Sequence, residues 1–242
     1  MSRLAVLDLG TILSVWAHPD DEGYCCGGLM AMAVRGGQRV VCVTATRGEL
    51  GSTDLSRWPT GPELAAVRTR ELAASLAVLD VTEHYWLDYP DGRCQEVDQD
   101  EASARLREIV DRVQPDTVLT FGPDGATYHP DHIAVSRWTS AAVAGTKARV
   151  LHQVVTPEWQ AATNDVVAAE LVMMADRKPV TVAESDCVIY LSLDGELLDL
   201  KYRAMLCQES QIGPLMSLAG PERYRAMLAE EAFTDEREEA RD

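Results

Sequence analysis

The chain has 242 residues, 46% of them hydrophobic, with 22 basic against 39 acidic side chains and a formal net charge of −17. That length suits one substantial core, and so acidic a chain repels phosphate backbones and anionic lipid, which argues against nucleic acid and membrane surfaces as partners. Six cysteines without a CxxC pair, no signal-peptide pattern and no apolar run near the ~18 residues of a membrane span point to a reducing, cytoplasmic setting.

In chain order, residues 1–10 read as a ragged leader and 11–17 as a first buried strand. Residues 22–35 form a helix stopped by Gly36-Gly37. The β-branched run 39–45 has the look of a strand buried on both faces, and it empties into the two-glycine loop 46–51. Pro62 opens a long helix to Leu79 with an apolar stripe of Leu64, Val67, Leu72, Leu76 and Leu79. A short strand over 83–87, a helix over 97–113, a strand over 117–121, a helix over 133–144 and a strand over 150–156 follow.

This alternation predicts an α/β, doubly wound, mostly parallel sheet with helices on both faces, over at least residues 11–156. No repeat or linker divides the chain, so 1–242 reads as a single domain. Residues 157–186 have no clear pattern, 187–193 suggest a strand and 197–208 a helix. From Pro221 onward the chain is helix-prone and strongly acidic, which reads as a solvated face or a frayed end.

Ligands in such sheets sit outside the carboxyl ends of the strands. Two polar clusters follow strands directly: His18-Pro19-Asp20-Asp21-Glu22 and Tyr128-His129-Pro130-Asp131-His132. Taken alone, the first also reads as a helix N-terminus, where Asp and further acidic residues are stabilising. Three of the five histidines at converging strand ends, each with an acidic neighbour, favour a metal instead. His84 and His152 fall in or near strands, with no acidic cluster of this type, and read as structural.

His18, Asp21 and His132 supply two imidazoles and a carboxylate, the three-ligand pattern of a catalytic zinc; iron(II) suits the same set. Asp20 is then an unliganded carboxylate suited to general-base work, and His129 is placed to stabilise an oxyanion or protonate a leaving amine. Asp131 would orient His129 or support His132. Together these groups describe metal-assisted hydrolysis of an amide or ester.

The two motifs, Ala17-His18-Pro19-Asp20-Asp21-Glu22 and His129-Pro130-Asp131-His132, resemble the signature pair of the PIG-L/LmbE-like N-acetylglucosaminyl deacetylases, over about residues 11–156. The resemblance implies a Rossmann-like fold, Zn²⁺ at His18, Asp21 and His132, a base at Asp20 and a catalytic His129. It further implies substrate contacts from Arg68 (in an Arg-x-x-Glu pair with Glu71), from Asp91 on sugar hydroxyls, and from the loop that carries Glu49. For these, a surface helix pair and a type I turn are the plain readings.

Tyr128 is a departure, standing where many relatives have a small residue such as Gly, and is expected to wall the acyl end of the pocket. Gln208 stands where the family often has His.

The expected substrate is a small N-acylated amino sugar or glycoconjugate, with residues 157–242 choosing it. The rivals are a same-fold amidase acting on a non-sugar or thiol-conjugate amide and a non-catalytic sugar- or metal-binding module; Asp20 and His129, which metal binding alone does not need, speak against the latter. A homo-oligomer is compatible with the sequence. The absence of GxGxxG after the first strand and of GxSxG argues against a dinucleotide oxidoreductase and a serine hydrolase.

Overall fold

Strands that are apolar on both sides, such as Val40–Thr46, need helices over both faces of their sheet. A computed structural model, which describes residues 8–164, 173–174 and 180–235, has this arrangement. The first part of the chain runs β1 (Ile12–Trp16), α1 (Asp21–Arg35), β2 (Val40–Thr46), α2 (Pro62–Val78), β3 (Glu83–Tyr89), α3 (Gln99–Val113), β4 (Thr117–Phe121), the short turn α4 (Gly125–Tyr128), α5 (Pro130–Val143) and β5 (Arg149–Val154). The expected elements all form, with ends moved by three residues or fewer. Strands β1, β2 and β4 are buried along their whole length.

With β6 (Ile189–Ser192) and β7 (Glu230–Asp235) from the second part of the chain, one seven-stranded sheet has the order β3-β2-β1-β4-β5-β7-β6. Its first five strands are parallel, and the chain winds outward from β1 to β3 on one side and from β4 to β5 on the other. Right-handed crossovers in opposite directions place α1 and α2 on one face and α3 and α5 on the other. Helix α3 packs against α5, while α1 and α2 share α7 (Gly195–Leu206) as a neighbour. The strand order reverses between β1 and β4, and a crevice opens there.

The second part holds α6 (Pro157–Asn164), β6 (Ile189–Ser192), α7, α8 (Glu209–Ala219), α9 (Pro221–Met227) and β7 (Glu230–Asp235). Of the stretch from Pro221 expected to be helix-prone and solvated, Pro221–Met227 is helical, whereas Glu230–Asp235 is instead an inner strand. β7 lies antiparallel between β5 and β6, with Ala232 and Phe233 in the core. Its acidic side chains are tolerated because each has a partner. Glu230 accepts from Thr156, Glu231 pairs with Lys201, and Asp235 pairs with Arg149 at 2.6 Å. Glu236, Glu238 and Glu239 of the same acidic run lie outside the described residues, as do residues 1–7 of the expected leader. Leu9 of that leader is buried, and its carbonyl accepts from the Thr117 hydroxyl. All six cysteines are free thiols.

Helix α1 breaks at Cys26 (φ −150°, ψ 19°), which releases the backbone N–H groups of the next turn. Those of Gly28 and Leu29 donate to the two oxygens of Glu231, each at 2.7 Å. Lys201 Nζ balances that carboxylate at 2.8 Å and also donates to the Tyr24 carbonyl.

His84 is structural, as expected. On β3 it lies 3.0 Å from the Thr44 hydroxyl, and burial, aided by Arg47, pushes its pKa down to about 4. The unfolded chain therefore binds a proton that the folded chain refuses between about pH 6.5 and 4, so this group favours folding less as pH falls through that window. We expect His84→Gln to lose about 2 kcal/mol less stability than the parent between pH 7 and pH 5, read from urea unfolding at both values. Equal losses would show that His84 is not a source of acid sensitivity.

Candidate metal and catalytic site

The reversal of strand order brings the two sequence motifs together, one after β1 and one after β4. The His18 N–H donates to Asp21 Oδ2 at 2.8 Å, closing the chain into the turn that starts α1. His18 Nδ1 then lies 3.2 Å from His132 Nε2 and 3.6 Å from Asp21 Oδ2, and His132 Nε2 lies 3.5 Å from Asp21 Oδ1. Four ligands at zinc's usual 2.0–2.1 Å stand about 3.3 Å apart, so this spacing is that of a metal cradle.

The other ring nitrogens decide what fits there. His132 Nδ1 donates to the Gly125 carbonyl at 2.9 Å, so its Nε2 presents a lone pair. His18 Nε2 lies 3.2 Å from both Asp131 Oδ2 and Asp91 Oδ1, so its proton belongs on that side and its Nδ1 also presents a lone pair. Two lone pairs and a carboxylate facing one another call for positive charge, and a divalent cation fits the set. Without one, a second proton meets the need: burial opposes it, but hydrogen bonds to Asp131, Asp21 and Asp91 hold the His18 pKa well above its ordinary value. Burial favours a neutral Asp21, yet His132 and His18 outweigh it and keep the carboxyl ionised far below the usual range. The groups His18–His129–His132, of which His129 is half-buried, and His18–Asp91–Asp131, which is buried throughout, each bring three donor atoms close enough to hold a metal ion.

Asp20 sits beside this cradle in a backbone conformation that favours glycine (φ 109°). Such strain costs on the order of 1–3 kcal/mol and persists only where the surroundings over-determine it. Here they do. The Asp20 N–H donates to Glu22 Oε2 at 3.0 Å, and its carbonyl accepts from the Tyr24 N–H at 3.0 Å. Arg68 donates to the Pro19 carbonyl and reaches Asp20 Oδ2 at 3.3 Å.

Burial raises the Asp20 pKa to about 7, with Arg68 opposing and Asp21 adding to the rise. Burial likewise takes Glu22 up to about 8, so it sits as a neutral acid with the Gln208 amide 3.4 Å away.

Arg68 and Glu71 are not a surface pair. Both are buried, and they serve different partners. Arg68 also donates to the Gly48 carbonyl at 2.9 Å, and a Cβ on Gly48 (φ 65°) would stand 2.2 Å from its guanidinium. Glu71 accepts from the backbone N–H of Ser210 at 2.7 Å and from its hydroxyl. Asp91 accepts from the Leu50 N–H at 2.8 Å, and Glu49 Oε1 accepts from the Asp91 N–H at 3.0 Å. Glu49 Oε2 is buried without a hydrogen-bond partner among the described residues.

The Asp131 side chain is placed differently from the expectation. Its carboxylate accepts from the Gly92 and Cys94 N–H groups at 2.7 and 3.0 Å and lies on the His18 ring, not on that of His129. The reason is local: His129 caps α5, its Nδ1 accepting from the Asp131 N–H at 3.1 Å, so the Asp131 side chain leaves in another direction. That bond puts the His129 proton on Nε2, a donor free to face a substrate. Burial, with His18 nearby, lowers the His129 pKa.

Tyr128 (φ 59°) and Ala126 (φ 61°) follow Gly125 (φ 68°) in a tightly wound loop. The position where a small residue was expected thus has a backbone that favours one. Phe121, which carried no signal in the sequence, stacks on the His132 ring at 4.1 Å between centroids.

A family model described as PIG-L, GlcNAc-PI de-N-acetylase, matches residues 13–143. The chain belongs to this family. Among PIG-L relatives, a 1D-myo-inositol 2-acetamido-2-deoxy-alpha-D-glucopyranoside deacetylase of Acidothermus cellulolyticus is 31% identical, over 91% of this chain and 87% of that protein. Another of the same description, from Kineococcus radiotolerans, is 35% identical over 54% of this chain, a match spanning only 44% of that protein. Several similar relatives are likewise matched over about half of their length.

Among solved structures, an N,N'-diacetylchitobiose deacetylase of Pyrococcus horikoshii aligns with a TM-score of 0.65 at 22% identity, over 96% of this chain and 87% of that one. This last is a likeness of fold. No described helix is long and apolar enough to cross a membrane.

Proposed function

We propose that this PIG-L family member is a metal-dependent hydrolase that removes an acyl group, with acetyl as the reference case, from the 2-amino group of an N-acetylglucosamine-type sugar or glycoconjugate. The observation that carries this reading is the convergence of the His18 and His132 lone pairs on the Asp21 carboxylate, all within 3.6 Å. His18, Asp21 and His132 would hold Zn²⁺, or Fe²⁺, which share this donor preference. Such a cation, when bound, supplies Lewis-acid polarisation of the amide carbonyl and an acidified water.

The remaining steps belong to the chain. Asp20, with a pKa near neutrality, accepts the proton of the attacking water, while Arg68 holds its carboxylate in place. His129, its proton on the outward nitrogen, donates to the developing oxyanion or to the departing amine. Asp131 and Asp91 orient the His18 ring, as acceptors behind metal-binding histidines commonly do. Glu49, Arg68, Asp91 and Tyr128 are the further residues this reading assigns to contacts with the substrate.

The test is release of free amine from a panel of N-acetylated sugars by metal-depleted and zinc-restored protein. We expect activity only after restoration and, within this panel, only with sugars acylated on the 2-amino group. Turnover that ignores chelation, or a panel without a substrate among those sugars, would overturn the proposal. The His132→Ala variant is expected to lose most of the one metal ion per chain that elemental analysis should find in the parent. Full retention would remove His132 from the ligand set.

A further inference from the structure

A cavity of about 250 Å³ opens beside the cradle, with Asp21 and His132 at one end. Its body is apolar, walled by Phe121, Val154, Trp159, Leu215, Met227 and Leu228. The acidic residues that also border it are already engaged, Glu230 by Thr156 and Tyr190 and Glu231 by Lys201. Tyr24, Thr127, Gln153, Gln160 and Thr163 also line it, and Gln153 Oε1 and Thr163 Oγ1 are buried without a hydrogen-bond partner among the described residues. Most of the chamber's surface is nonetheless apolar, whereas a sugar needs hydrogen-bonding groups at every face.

His18, Asp91 and Arg68 do not line the chamber. Of the three cradle residues, the chamber therefore meets Asp21 and His132 but not His18. Tyr128, expected to wall the acyl end, is also absent from the lining, and Phe121 and Ala126 stand there instead.

We propose that this chamber receives the acyl part of the substrate, and that the chain prefers amides whose acyl group is an apolar chain longer than acetyl. The inference rests on the hydrolysis proposed above. The oxygen of water bonds to the carbonyl carbon, the C–N bond breaks, and the amine leaves with a proton, so a carboxylate and a free amino sugar result. With the sugar held on the Asp91 and Arg68 side, the chain beyond the carbonyl extends past Asp21 and His132 into the chamber. The volume is ample, since an apolar cavity of ~150 Å³ already takes a benzene ring.

Two series test this. In the first, N-acetyl-, N-butyryl- and N-hexanoylglucosamine are compared by amine release; kcat/KM should rise about fourfold per added methylene, the usual value of burying one. In the second, acetate, butyrate and hexanoate are titrated calorimetrically into the zinc-loaded protein without any turnover, and affinity should rise by the same factor per methylene. Leu215→Trp, with its fold checked by thermal melting, should flatten both series.

Longer chains that bind no tighter than acetate would overturn the proposal. So would a flat acyl series beside a rising one for alkyl glycosides of N-acetylglucosamine, which would assign the chamber to the aglycone. Tighter binding of longer carboxylates without amine release from any sugar supports the chamber assignment and overturns the hydrolysis alone.

Discussion

Replacing Asp20 by Asn is expected to leave the fold and the metal content intact and to lower turnover by about 10²–10⁴-fold, the usual loss when a general base is removed. The amide keeps the volume and the contact with Arg68, which reaches Asp20 Oδ2 at 3.3 Å, but it accepts no proton. The strained backbone at this position (φ 109°) is borne by Asp and Asn alike, the two being similarly tolerant of positive φ, so the exchange adds no backbone penalty. The pH profile gives a second readout. A base with a pKa of about 7 must lose its proton to work, so parent activity should rise with pH through that value, or through a lower one once a cation sits beside it. The residual activity of the variant should lack that limb. Normal turnover in a fully metallated Asp20→Asn protein would send the search for the base elsewhere.

Lys201→Met is expected to cost about 3–5 kcal/mol of stability, the penalty typical of stripping one partner from a buried ion pair. Lys201 and Glu231 are both fully buried, with 2.8 Å between Nζ and Oε1. Glu231 cannot simply be neutralised without consequence, because its two oxygens accept from the Gly28 and Leu29 N–H groups freed by the break in α1. The double variant Lys201→Met/Glu231→Gln should recover part of the loss, since it leaves no unpaired charge and keeps one acceptor. Urea unfolding of the parent, both single variants and the double variant gives the coupling directly. A single Lys201→Met variant within about 0.5 kcal/mol of the parent would show that the pair is not needed. Because α1 also carries Asp21 and Glu22 in its first turn, this pair links the last strand of the sheet to the helix that opens the candidate site.

What could be read from the sequence was what is encoded over a few consecutive residues. Continuous β-branched runs announced the parallel strands, and Gly36-Gly37 and Pro62 marked helix ends, because burial and backbone restriction act locally. His18, Asp20, Asp21, His129 and His132 were visible because each follows a strand directly, and a parallel sheet collects such ends on one rim.

What only the tertiary structure decided was the pairing of charges far apart in the chain. Nothing near Arg68 indicates that it bonds to Asp20, nothing near Asp131 that it lies on the ring of His18, and nothing near Lys201 or Glu231 that they meet in the core. The acidic run from Glu230 read as solvated because Glu and Asp are poor strand formers that seek water. Glu230–Asp235 forms an inner strand because Thr156, Lys201 and Arg149 arrive from elsewhere in the fold to satisfy its carboxylates. Local pattern reports what a segment prefers, whereas a buried charge is tolerable only when its partner is in place, and the folded chain alone brings the two together.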